Sequence, residues 1–137
     1  MRFNVKTDID LERLKARAYA EAQLIFDKDS TRRGRTLKEV RRDCLMGHAA
    51  ELYLIDHCGF TDDPRPYKDV FDTENIPTEV KTTRKVKDVE HILRRAKEYM
   101  LEAWRKYPKQ LYIFMVNGYN GDYELYGIYH WNGKEFV

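Results

Sequence analysis

Apolar and polar positions alternate along this chain with two periods. Between residues 8 and 27, Leu11, Leu14, Ala18, Ala22 and Ile25 recur at helical spacing, which predicts an amphipathic helix with Thr7 or Asp8 as its cap. A basic connector, DKDSTRRGRT, follows, with Gly34 as a breaker. Thr36 then opens a second helix, since TLKE fits a capping box. Leu37, Val40, Cys44, Gly47, Glu51 and Ile55 share one face of that helix, and Gly59 is its expected stop. A hairpin is predicted next, with strands near 67–72 and 77–83 around the turn TEN. Val89, Ile92, Leu93, Ala96, Met100 and Ala103 mark a third helix over 87–107, ended by Pro108. QLYIFMVN (110–117) is apolar throughout, as suits a strand covered on both faces. NGYNGD is turn chemistry, YELYGIYHW is a further strand, and NGKEFV closes with a tight turn and a short strand. The expected order is α-α-β-β-α-β-β: an α/β (α+β) fold with a small mixed sheet flanked by helices.

The 137 residues fit one domain, 1–137, in which about 1–35 form an N-terminal helical extension. Charge is nearly balanced at +2, so its distribution, not its sum, must point to a partner. Cys44 and Cys58 are too few for a disulfide framework and read as free thiols of a reducing compartment. Neither an apolar leader nor a run of eighteen apolar residues is present. The expectation is a cytoplasmic protein with no membrane partner.

The hairpin carries charge where a core element would carry apolar side chains. With Thr73, Glu74 and Asn75 as the turn, Asp72 pairs with Ile76 and Asp69 falls opposite Glu79. Two carboxylates so placed repel unless a cation lies between them or one is protonated. Glu79 and Lys81, two apart, project from the same face, while Val80 points into the core. Hard oxygen donors of this kind suit Mg²⁺. Asp72 is the rival to Asp69, but it sits beside the turn and pairs poorly with Glu79 in this register. Glu51, on the apolar stripe of the second helix, needs a partner: a metal-bound water, or a Lys or Arg. The tripeptide E-V-K alone is a weak motif in a chain with 23 acids. Its weight comes from a predicted strand and a register-matched aspartate.

The series G-H-A-A-E (47–51), G-F (59–60), K-D-V (68–70) and E-V-K (79–81) resembles the active site of the PD-(D/E)XK nuclease superfamily. It is most similar to the compact Holliday-junction-resolvase and VRR-type branches. The similarity covers about residues 44–117, and Lys68 stands where the family usually has proline. The resemblance implies a restriction-endonuclease-like core and a DNA endonuclease encoded by a phage or mobile element. It implies Mg²⁺ (with Mn²⁺ as substitute) on Asp69, Glu79 and the Val80 carbonyl, with Glu51 holding a metal-bound water or a second ion. Lys81 would then orient the attacking water. In a phage-encoded enzyme the compartment is the host cytoplasm.

Basic residues cluster on both sides of this set. Arg32, Arg33 and Arg35 precede it, and Arg84, Lys85 and Lys87 follow it, as candidate phosphate contacts. A solvated face is the plainer reading of such runs. Cutting both strands of DNA suits a homodimer. Two other readings stay open: a nucleic-acid-binding module that keeps the fold without catalysis, and a nuclease directed at RNA. Cys44, His48, His57 and Cys58 make a weaker zinc set, lacking any C-x-x-C. His48 reads better as a polar residue lining the cleft.

Overall fold

A computed structural model describes residues 1–28, 34–62, 70–102, 108–117 and 121–137. Its elements are β1 (Arg2–Asn4), α1 (Val5–Asp8), α2 (Leu11–Phe26), α3 (Leu37–Cys58), β2 (Thr61–Asp62), β3 (Val70–Phe71), β4 (Pro77–Thr83), α4 (Val89–Leu101), β5 (Gln110–Asn117) and β6 (Asp122–His130). A single 3₁₀ turn, Val86–Asp88, leads into α4. The fold is mixed α/β: helices pack on a six-stranded sheet of order β1-β6-β5-β4-β3-β2. Among the described strands only β4 and β5 run parallel, joined by α4 as a crossover; the other described pairs are antiparallel.

Local chemistry explains the start of α2 and both ends of α3. Asp10, not Thr7 or Asp8, caps α2, its Oδ1 accepting from the backbone N–H groups of Glu12 and Arg13. The capping box of α3 is complete, with Thr36 and Glu39 bonded reciprocally. Gly59 ends that helix in the left-handed region at φ 75°, where a side chain would be strained. The one-turn helix α1 and the strands β1 and β2 add to the expected order. At three and two residues the strands are too short to display an alternation. Trp131 bridges Phe136, which closes the C-terminal turn as a minimal hairpin.

The core lies on both sides of β5. Phe114 and Val116 pack with Val80, Val70 and the α3 residues Ala49, Ala50 and Leu52. Leu111 and Ile113 pack with Val89 and Ala96 of the α4 layer and with Phe136. That double burial is why QLYIFMVN lacks a polar face. A third cluster joins α2 to α3 through Ala18, Ala22, Val40 and Cys44. Small side chains here let the two helices approach closely, which brings the polar neighbours of the alanines against α3.

Candidate active site

β4 sets the geometry of the hairpin. Thr78 and Val80 are buried; Glu79 and Lys81 project from the other face, and Lys81 Nζ lies 2.8 Å from Glu79 Oε1. β3 pairs with β4 through Val70 opposite Thr78 and Phe71 opposite Pro77. This is the register of a three-residue turn, and the Asp72 N–H indeed donates to the Ile76 carbonyl at 3.1 Å. Asn75 closes the turn at φ 63°, a conformation asparagine tolerates better than most residues. Asp69 lies outside the described residues, as do 67 and 68 of the expected strand. Val80 stands beside Tyr112 of β5.

Asp72 is committed to the turn. Its Oδ1 accepts from the N–H groups of Glu74 and Ile76, each at 2.9 Å. Its Oδ2 accepts from Gln110 Nε2 at 3.1 Å, and the same buried amide nitrogen donates to Thr78 Oγ1 at 3.1 Å. The rival aspartate therefore anchors the hairpin to β5.

Glu51 sits in a network that α2 supplies. Arg17 Nη2 is 3.3 Å from Glu51 Oε2, and the same guanidinium grips Asp62 at the end of β2. His48, one turn before Glu51, bonds Glu21 through Nε2, while its Nδ1 lies 3.5 Å from Glu51 Oε2. That second approach is near enough for charge attraction but is not a hydrogen bond. His48 Nδ1 and Arg17 Nε are both buried with no hydrogen-bond partner among the described residues.

Burial holds the Glu51 carboxyl above its ordinary range, against the opposing pull of His48 and Arg17. Glu21 goes the other way: the His48 hydrogen bond lowers it, with help from the charges of Lys81 and Arg17, although burial opposes the shift. Burial disfavours the His48 imidazolium, yet the Glu21 bond and the nearby carboxylates outweigh it and the net shift is upward. The Lys81 charge is thus felt at Glu21 of α2.

Arg17 and Glu21 were not among the candidates read from sequence. The available signal was their i, i+4 spacing beside Ala18 and Ala22. Nothing local shows that this spacing faces His48 and Glu51 across a helix–helix contact. Among the flanking cations, Arg35 Nη1 bonds Asp43 Oδ2 at 2.7 Å, and Arg84, Lys85 and Lys87 are exposed just past β4. Arg32 and Arg33 lie outside the described residues.

Glu51 and Glu79 are oxygen donors of the kind Mg²⁺ takes, and each already faces a cation. Among the described residues, no three His, Cys, Asp or Glu side chains are grouped so as to hold a metal. Of the weaker zinc set, burial pushes the Cys44 thiol up to about 12, and His57 Nε2 donates to the Asp8 carbonyl at 2.8 Å. No described helix is long and apolar enough to cross a membrane. Comparison with family models, curated proteins and solved structures returned no match.

Proposed function

We propose that this chain is a Mg²⁺-dependent endonuclease that hydrolyses phosphodiester bonds in DNA, on a restriction-endonuclease-like core. The observation that carries the reading is the hairpin. Glu79 and Lys81 share one face of β4, and the turn before them has the register that the acid-acid-lysine arrangement requires. The parallel β4–α4–β5 unit that follows, and the helix bearing Glu51 that precedes, are consistent with that core.

In this proposal the register continues by one residue, so that Asp69 meets Glu79, and these two carboxylates with the Val80 carbonyl hold the ion. Mg²⁺, or Mn²⁺ in its place, would supply Lewis acidity at phosphorus and a hydroxide-like nucleophile. Lys81 orients the attacking water and offsets charge growing on the phosphoryl oxygens. Glu51 holds a water or a second ion. Its partner Arg17, also gripped by Asp62, keeps it in place, and His48 stands alongside. Arg35, Arg84, Lys85 and Lys87, with Arg32 and Arg33, contact phosphates and position the backbone without reading sequence. A homodimer in the cytoplasm, the host's if the chain is phage-encoded, would bring two such sites to one duplex.

One observation favours a second reading. Glu79 pairs with Lys81 and Glu51 with Arg17, so each of these two acids already has a cationic partner. A non-catalytic nucleic-acid-binding module would need no more. Cleavage of plasmid DNA by the wild-type chain in Mg²⁺, Mn²⁺ and EDTA separates the two, and competition with RNA identifies the polynucleotide. Metal-indifferent binding with no cleavage would establish the module.

A further inference from the structure

Away from the hairpin, α2 and α3 meet the end of β5 and the start of β6 beside Arg84, which follows β4. A groove of about 300 Å³ opens there, walled by Leu11 of α2 and Met46 of α3, with Tyr123 of β6 at its base. Its lining is predominantly apolar. Tyr123 adds little polarity, because its hydroxyl donates to the Met46 carbonyl at 3.0 Å and its ring is stacked on Phe3. Among the described lining residues the charged ones are all cationic: Lys15 of α2, Arg42 of α3 and Arg84 just past β4. Arg84 is close enough for its charge to act on Tyr123.

An apolar slot bordered by three cations selects a ligand with a flat apolar body and more than one anionic group. A stretch of single-stranded nucleic acid has that composition: bases present apolar faces and successive phosphates present charge. An acyl carboxylate offers one anion to three cations. A duplex hides its base faces in the stack, so it cannot offer them to the apolar wall of the groove.

We infer that this groove binds an unpaired base, with Lys15, Arg42 and Arg84 facing the flanking phosphates, so that the chain prefers single-stranded or frayed DNA to intact duplex. The inference rests on the nucleic-acid reading above but not on catalysis. Fluorescence anisotropy in EDTA, on the wild-type chain at one salt concentration, tests it with three labelled probes of equal length: a single strand, a blunt duplex and a strand of abasic sugar phosphates. The single strand is expected to bind about tenfold more tightly than the abasic strand, the scale of one stacked base, and more tightly than the duplex. Lys15→Glu and Leu11→Trp, at exposed positions of α2, should each weaken single-strand binding about fivefold, within the range for one phosphate or base contact. Equal binding of the abasic strand, or wild-type affinity in both variants, overturns the inference. Because no cleavage is read, the result stands whether or not the chain passes the Mg²⁺ assay.

Discussion

Lys81 Nζ lies 2.8 Å from Glu79 Oε1, two residues back on the same strand. Adjacent positions on one face of a strand make such a pair inexpensive to form, and its partial exposure makes it a poor source of stability. The Lys81 side chain retains 45% of its exposure, so its value must lie elsewhere. We expect Lys81→Ala to lower Mg²⁺-dependent cleavage by about a hundredfold or more. Unfolding free energy should change by less than about 1 kcal/mol. Parallel cleavage and urea-denaturation measurements check both halves.

The two candidate aspartates should separate cleanly. Asp72 accepts two backbone N–H groups and the Gln110 amide, so Asp72→Ala removes the acceptor of three N–H groups, although Gln110 Nε2 keeps its bond to Thr78 Oγ1. A loss of about 2–3 kcal/mol is expected, with cleavage retained at temperatures where the variant stays folded. Asp69→Ala is expected to abolish cleavage at every temperature. Thermal melts beside cleavage assays distinguish the two outcomes.

Much of this hairpin is legible in the sequence. The turn residues Thr73, Glu74 and Asn75 fixed the pairing of Asp72 with Ile76, because loop length dictates register in a hairpin. The box at Thr36 and Glu39 and the stop at Gly59 were equally readable, since each depends on residues a few positions apart. What escaped was non-local or short. β1 and β2 are defined by their partners and not by a pattern of their own. Arg17 reaches Glu51 and Asp62 only because alanines at 18 and 22 let α2 lie close on α3. The exposed Leu11 shows the limit of periodicity: it belongs to the predicted stripe but lies beyond the core that Leu14, Ala18 and Ala22 reach.

The His48–Glu21 pair predicts a defined pH window. The His48 pKa is raised in the folded chain, so its contribution is fully present below its ordinary value of 6.5 and is lost as pH rises through the folded value. The Glu21 pKa is lowered, so its contribution is present above 4.5 and is lost as pH falls through the folded value. The pair is therefore worth most between pH 4.5 and 6.5. Glu21→Gln should remove about 1 kcal/mol there, the upper end for a pair that is not fully buried, and progressively less on either side. Denaturation midpoints of both proteins across pH check it; a pH-independent difference would mean that packing, not charge, holds the contact.

The cap of α3 fixes the start of the helix that presents His48 and Glu51. Thr36→Ala should cost about 1 kcal/mol by removing one half of the reciprocal bonds. Cleavage by the folded variant should be unchanged, since more than two turns separate the cap from the site. Circular dichroism melts and cleavage below the transition provide the check.

The central claim is that Glu79 holds a metal ion that cleaves DNA. Cleavage of supercoiled plasmid by the wild-type chain and by Glu79→Ala, each titrated with Mg²⁺ and then with EDTA, tests it most directly. Nicking that rises with Mg²⁺, stops with EDTA and is lost in Glu79→Ala is the predicted result. Equal cleavage by the two proteins, or no cleavage by wild type in either Mg²⁺ or Mn²⁺, would contradict it.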